Sequence, residues 1–222
     1  SAAPTVTDAP TTPAPTPAPS PDHILALDHS LCFDECTLED QVGGMHATLV
    51  NGATCTPGEG VVFDGTDDYV DLDDQSLGGP MTIAVWARWD ALNSWSRLCG
   101  FGDGASDDNI FINNVDTSAT IEFGIFVGSS HKGAYGGSIV LGAWTHVVST
   151  VQGPTMKVYE DGTVLANTDD GQEPASLTRA NHWLGRPSFV SSGYFQGATK
   201  SMQIWSRALD AAEVASVYAL EG

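Results

Sequence analysis

The stretch "MTIAVWARW", residues 81–89, decides the fold class of this 222-residue chain. Ile83, Val85 and Ala87 alternate with a second, mixed set of side chains, which is the period of a β-strand. A strand with this alternation packs one set against another sheet and turns the other set to the opposite face. The stretch therefore predicts one strand of a two-sheet sandwich.

Similar short runs of β-branched and aromatic residues, separated by Gly, Asp and Asn turns, occur on both sides of this stretch. They predict strands near residues 24–28, 60–64, 68–73, 81–90, 95–101, 109–114, 119–127, 137–141, 143–151, 155–160, 163–167, 181–186 and 197–206. One helix is predicted over residues 211–220, with Asp210 as its N-cap and Glu213 completing a capping box. Many antiparallel strands and one short C-terminal helix indicate an all-β sandwich or jelly roll.

Residues 1–21 differ from the rest in composition, since they hold seven of the twelve prolines and five threonines. This composition favours an extended polyproline II arm, which cannot bury a core of its own. We therefore divide the chain into an arm, residues 1–21, and a β domain, residues 22–222.

The alternation of Ala, Thr or Ser with Pro in "APTPAPSP", residues 14–21, resembles the glycomodules of plant and algal hydroxyproline-rich glycoproteins. The resemblance implies O-glycans on hydroxyl groups of the arm or on hydroxylated prolines. The candidate sites are Thr5, Thr7, Thr11, Thr12, Thr16 and Ser20, together with Pro13, Pro15, Pro17 and Pro19.

The chain is strongly acidic, with 28 Asp and Glu against 8 Lys and Arg and a formal net charge of −20. Such a surface repels the phosphates of nucleic acids and anionic lipids, so we expect neither as a partner. No apolar run approaches the length of a membrane span. We expect a secreted protein, with Ser1 as the mature N-terminus after removal of a signal segment.

The four cysteines are Cys32, Cys36, Cys55 and Cys99, and their spacing does not fit a zinc site. They indicate two disulfide bonds in an oxidising compartment, for which three connectivities are open. Of these we favour Cys36–Cys55 with Cys32–Cys99, because a strand near Cys99 can lie beside the N-terminal strand.

Six stretches, in family order, resemble the concanavalin A-like jelly rolls of the laminin-G-like type. They are "GEGVVFDGTDDYVDL" (58–72), "MTIAVWARW" (81–89), "GAWTHVVSTV" (142–151), "TMKVYEDG" (155–162), "HWLGR" (182–186) and "GYFQGATKSMQIWSRALDAAEVASVY" (193–218). The resemblance spans nearly all of residues 24–220. It implies an antiparallel two-sheet jelly-roll sandwich with one short C-terminal helix and the extended arm in front.

Related jelly rolls include glycoside hydrolases, whose retaining members need two carboxylates about 5 Å apart. The chain contains no E-x-D-x-x-E pattern, and Glu122 stands alone in "TIEFGIF". Asp71 and Asp73 share an alternating spacing, but the sequence shows no environment that would raise the pKa of one of them. Polysaccharide lyases need Arg, Gln, His and Tyr together, which "YFQGATK" barely resembles. We therefore expect no catalytic residues and no enzymatic activity.

The resemblance also implies calcium ligands around "FDGTDD" (63–68), together with an Asp from the final strand. Lys200 fills that Asp position, and an ammonium group cannot coordinate a cation. It can instead pair with Asp64 or Asp67. The sequence thus argues against calcium at this site, while the acidic composition leaves looser calcium binding elsewhere open.

Sugar binding needs exposed aromatic rings beside polar groups that form hydrogen bonds. Trp95, His131, Tyr135, Phe189 and Tyr194 fall in predicted loops and are the candidates for sugar contacts. They are scattered in the sequence, and packing in the core or at an interface is the alternative.

Three functions remain open. The favoured one is a non-catalytic extracellular structural glycoprotein that assembles with copies of itself into a fibre or surface layer through the jelly roll and the arm. The second is a carbohydrate-binding or adhesion module on a glycosylated stalk, and the third is a glycoside hydrolase or polysaccharide lyase. An arm that runs along another copy would favour assembly, whereas a mobile arm and an open aromatic cleft would favour a lectin.

Overall fold

Two antiparallel sheets face each other across a hydrophobic core in the computed structural model, which describes residues 27–104 and 107–221. The eight-stranded sheet has the order β14 (Thr163–Thr168), β13 (Thr155–Glu160), β12 (Trp144–Gln152), β7 (Met81–Trp89), β17 (Gln196–Trp205), β4 (Gly60–Asp64) and β3 (Thr54–Thr56), with β1 (His29–Cys32) also paired to β17. The seven-stranded sheet has the order β11 (Ser130–Gly136), β10 (Ile121–Val127), β9 (Ile110–Asn114), β8 (Arg97–Gly102), β16 (Asn181–Leu184), β5 (Tyr69–Leu72) and β2 (Ala47–Val50).

Three further elements complete the domain. A small ribbon pairs β15 (Leu177–Thr178) with β6 (Ser76–Leu77), a single 3-10 turn spans Phe33–Glu35, and helix α1 spans Ala211–Glu221. The predicted fold class, an all-β sandwich of two antiparallel sheets with one C-terminal helix, is confirmed.

Strand β7 is buried on both faces, because two different layers cover it. Ile83 and Val85 lie in the main core between the two sheets. Ala84, on the opposite face, belongs to a second apolar cluster, which also includes Trp205 of β17 and Val214 of helix α1. The helix therefore packs against the outer face of the eight-stranded sheet.

The start of helix α1 follows the predicted capping box. The side chain of Asp210 accepts a hydrogen bond from the backbone N–H of Glu213, and the Glu213 carboxylate accepts one from the N–H of Asp210, each at 2.9 Å. These reciprocal bonds satisfy two of the backbone donors that a helix start leaves without partners. No helix within the described ranges is long and apolar enough to cross a membrane.

Some strand predictions are wrong. Residues 137–141 form no strand. The strand at this edge of the seven-stranded sheet is β11, which begins seven residues earlier, at Ser130. Only Ala134 of β11 is buried and the strand contains two glycines, so it lacks the apolar alternation by which strands are recognised. The short strands β2 and β3 were also missed. The predicted strand 24–28 falls mostly outside the described residues.

The arm, residues 1–21, and all its candidate glycosylation sites lie outside the described residues. The division at residue 22 and the O-glycosylation therefore stay predictions.

One disulfide joins Cys36 to Cys55, across a sequence separation of 19 residues. Cross-linking a segment of this length stabilises the folded state by about 3 kcal/mol in the chain-entropy account. The bond ties the 3-10 turn that follows β1 to strand β3.

The predicted second bond, Cys32–Cys99, is wrong, since both cysteines are free. Cys99 lies on β8 and is buried in the core between the sheets. Cys32 follows the core residue Leu31 on β1, so its side chain points to the outer face of the eight-stranded sheet. The eight-stranded sheet therefore separates the two thiols.

The two free thiols should differ in reactivity. Burial raises the pKa of Cys99 to about 12, whereas Cys32 is only half-buried. Titration of the native protein with a thiol-specific disulfide reagent should therefore modify one cysteine, and titration in denaturant should modify two. No reactive thiol in denaturant would mean that a second disulfide exists.

Candidate functional site

A groove of about 410 Å³ crosses strands β8 to β11 on the outer face of the seven-stranded sheet, and we call it the β8–β11 groove. Its size lies within the usual range of ligand sites, about 300–1,000 Å³. Aromatic rings and polar side chains line it together: Trp95, Phe111, Phe126, His131, Tyr135 and Phe189, with Arg97, Asn113, Glu122, Ser191 and Ser192.

Strand register brings four of the polar groups into one row. Arg97 pairs with Asn113, Asn113 with Glu122, and Glu122 with Tyr135, each on a neighbouring strand. Directly opposed residues of antiparallel strands point to the same face. These side chains, which are far apart in the sequence, therefore line one band of the groove floor.

Glu122 is the acid of this row, and it is only 2% exposed. Its carboxylate lies 3.0 Å from Nε2 of His131. Partial burial, with the negative charge of Glu122, raises the pKa of Tyr135 to about 12, so the hydroxyl keeps its proton at neutral pH. The ring of His131 stacks on Phe126 at 4.7 Å between centroids.

Arg97 is the basic residue of this row, and its side chain is also almost inaccessible, since the residue is only 2% exposed. Its guanidinium stacks on the ring of Phe111, with 3.8 Å from Cζ to the ring centroid. Burial lowers the pKa of Arg97 to about 10, so the side chain remains a cation at neutral pH. Within the described part of the chain, Nε and Nη1 of Arg97 and Oδ1 of Asn113 have no hydrogen-bond partner.

Gly124 makes room for this stack. It is paired with Phe111 on the neighbouring strand, and a Cβ built on it would lie 2.1 Å from Cζ of Phe111. Its missing side chain lets the Phe111 ring lie against the sheet.

The structure brings four of the five predicted sugar contacts together. Trp95, His131, Tyr135 and Phe189 line the groove, whereas Tyr194 does not. That they bind sugar stays a prediction. Sequence reasoning missed Arg97 and Asn113 and dismissed Glu122, because each lies alone in its strand and only the register joins them.

The predicted pairing of Lys200 with Asp64 or Asp67 is wrong. The register between β17 and β7 shifts between Thr199 and Ser201, so Lys200 is the extra residue of a bulge. Its ammonium group lies 3.5 Å from Asp34 and stands over the ring of Trp144.

The carboxylates of Asp64, Asp67 and Asp68 lie within 4.8 Å of one another, in the turn between β4 and β5. Burial and the two neighbouring negative charges raise the pKa of Asp68, despite the hydrogen bond that it accepts from the N–H of Asp64. Three clustered carboxylates are a donor set that suits a hard cation such as calcium. Calcium binding here stays a hypothesis.

A second cavity, of about 460 Å³, lies on the outer face of the eight-stranded sheet. Several of its polar groups already have partners, since Lys200 pairs with Asp34 and Ser201 donates to Glu221. Strand β1, near the start of the described residues, borders the cavity. We therefore place the candidate site in the β8–β11 groove.

Residues 64–215 match the family described as the concanavalin A-like lectin/glucanases superfamily, and the chain belongs to this superfamily. A comparison with curated proteins finds no match.

Several solved structures share the fold. Domain 4 of an extracellular GH43 arabinanase from Geobacillus stearothermophilus matches with a TM-score of 0.69 and 18% identity, over 86% of this chain and 98% of that one. Trypanosoma rangeli sialidase matches with a TM-score of 0.66 and 20% identity, over 90% of this chain and 33% of that one. Botulinum neurotoxin type C matches with a TM-score of 0.70 and 14% identity, over 91% and 53%. The chain thus spans about a third of the sialidase and about half of that neurotoxin chain.

These similarities contradict the prediction that the chain is not an enzyme. An arabinanase domain and a sialidase are among the similar structures, so the fold is glycoside-hydrolase-like, although the match is distant and covers only part of the sialidase. The prediction depended on the absence of known catalytic patterns, and a fold shared at about a fifth identity need not preserve such patterns.

The close packing of the Phe111 ring against Gly124 can be tested by adding a single methyl group to that glycine. Gly124→Ala should lower the free energy of unfolding by about 1–3 kcal/mol, because the new methyl group forces the Phe111 ring away from the sheet. Urea unfolding followed by circular dichroism measures the change.

Gly44→Ala is the matched control, since only the end of the Gln75 side chain comes within 4.0 Å of a Cβ there. It should change the free energy of unfolding by less than about 0.5 kcal/mol. Equal effects at the two positions would contradict the close packing of the groove floor.

Proposed function

We propose that the chain binds carbohydrate in the β8–β11 groove. The observation that carries this proposal is the meeting of exposed aromatic rings with buried polar atoms that have no partner among the described residues. Trp95 is 39% exposed and Tyr135 is 50% exposed, so both rings can stack on a sugar face. The free donors of Arg97 and the free acceptor of Asn113 can then bond to the groups at the sugar's edge.

The similar proteins support this proposal. The arabinanase domain, of which 98% is matched, was solved in complex with arabinotriose. Cell entry of the similar neurotoxin depends on interaction with two ganglioside molecules. The chain therefore has the fold of proteins that bind glycans, and the groove gives it a surface of suitable chemistry.

Cleavage of the bound glycan is a second candidate function, and Glu122 is the observation that favours it. Its buried carboxylate lies in the groove between a histidine and a tyrosine, which is an environment for acid–base chemistry. Hydrolysis of a glycosidic bond commonly uses two carboxylates, and Glu122 is the one acid among the described groove residues. Binding is therefore the function that the geometry supports best.

Secretion and assembly are further parts of this proposal. The Cys36–Cys55 disulfide supports an oxidising, extracellular location. Assembly with other copies through the arm is compatible with glycan binding, and sedimentation velocity over a dilution series tests it. A glycosylated arm would then be a stalk or a docking segment for a domain that holds sugar.

The aromatic rings of the groove should contribute to binding. Tyr135→Ala should weaken glycan binding about threefold to tenfold, because one stacking ring contributes about 0.5–1.5 kcal/mol. Trp95→Ala should have a similar effect. A glycan array that includes arabinotriose identifies the ligand, and calorimetry with that ligand measures the affinities.

Tyr194→Ala is the matched control, because this tyrosine lies near the groove in sequence but does not line it. It should bind the same glycan with unchanged affinity. If the wild-type protein binds no glycan, or if all three variants bind as it does, the groove is not the site. Incubation of the ligand with wild type and Glu122→Gln, followed by chromatography of products, tests cleavage.

A further inference from the structure

The two most deeply buried arginines of the described chain differ in one respect. Arg179 is fully buried, and its guanidinium donates to backbone carbonyls, including Leu77 at 2.6 Å and Ala175 at 2.9 Å. Arg97 is just as inaccessible to solvent, yet its Nε and Nη1 have no acceptor. The fold thus satisfies one buried cation from its own backbone and leaves the other without an acceptor at the groove floor.

No carboxylate within the described ranges lies within 4.0 Å of the Arg97 guanidinium. Glu122 lies in the same row and its negative charge acts to raise the pKa of Arg97, but its close contact is with His131, at 3.0 Å. The stack on Phe111 gives Arg97 some stabilisation and no hydrogen-bond acceptor. A buried cation that keeps its charge is costly to leave without an anion, so this position favours an anionic group from a ligand.

A carboxylate fits this position better than a hydroxyl group alone. Hydrogen bonds between a guanidinium and a carboxylate are about twice as strong as those between neutral groups. The unpartnered carbonyl of Asn113, next to Arg97 in the row, is an acceptor that suits a neighbouring hydroxyl group. A sugar ring that carries both groups, such as a uronic or sialic acid, matches this pair.

We propose that the β8–β11 groove selects sugars that carry a carboxylate, and that Arg97 is the residue that selects them. This proposal rests on the carbohydrate binding proposed above. The net charge of −20 opposes the approach of an acidic glycan. That repulsion is screened beyond about 8 Å at physiological ionic strength, whereas the buried contact with Arg97 is screened much less. The short-range contact therefore decides the preference.

The test compares matched pairs of sugars on the wild-type protein. Trigalacturonic acid is compared with its methyl ester, and 3′-sialyllactose with lactose, by calorimetry at physiological salt. A hydrogen bond to a charged group contributes enough for the acidic member of one pair to bind about tenfold to a hundredfold more tightly. The pair that shows the preference distinguishes a uronic acid from a sialic acid.

Two variants assign the preference to Arg97. Arg97→Gln should bind both members of the pair about equally, whereas Arg97→Lys should keep part of the preference because it keeps the charge. Circular dichroism checks that each variant is folded, and the wild-type comparison stands even if a variant is not.

The outcomes separate the two proposals. If wild type binds acidic and neutral sugars within about twofold, Arg97 is a structural cation and the selectivity is refuted, while carbohydrate binding stands. A preference that Arg97→Gln retains refutes the role of Arg97. If no sugar of either kind binds, on these pairs or on the array, the proposed function fails together with this inference.

Discussion

The alternation of side chains along β10 is the constraint on which both the core and the groove depend. Ile121, Phe123 and Ile125 face the core between the sheets, so Glu122 and Phe126 must face the other way. A slip of one residue would bury the carboxylate in the core and expose the three large apolar side chains. The hydrophobic effect that fixes the register of this strand therefore also fixes the position of the site.

Burial controls the chemistry of the groove floor as well. Arg97 and Glu122 are both charged and both almost inaccessible to solvent, but their charges are compensated in different ways. Glu122 has a partner on β11, since Nε2 of His131 lies 3.0 Å from its carboxylate. Arg97 lies over the rings of Phe111 and Phe189 and is attracted by the charge of Glu122, but Nε and Nη1 of its guanidinium have no hydrogen-bond acceptor among the described residues. The protein thus compensates the buried anion by a close contact and the buried cation only in part.

The sequence predicted the parts of this molecule that depend on local pattern. The alternation in β7 and the capping box of helix α1 are local, and both are confirmed. Strand β11 lacks apolar alternation because it is an exposed edge, so local pattern could not reveal it. Lys200 was misplaced for a related reason, since a bulge in β17 changes the direction of its side chain without any sequence signal.

The site was only half predictable, because its members are joined by register across four strands. Aromatic candidates such as Trp95 and Tyr135 were found from residue type, whereas the row from Arg97 to Glu122 required the pairing of β8, β9 and β10.

Helix α1 covers part of the outer face of one sheet, and β1 belongs to that same sheet. The sandwich thus has two unlike outer faces, one covered in part by helix α1 and one that carries the groove. A ligand in the groove therefore lies on the side of the sandwich opposite to the helix.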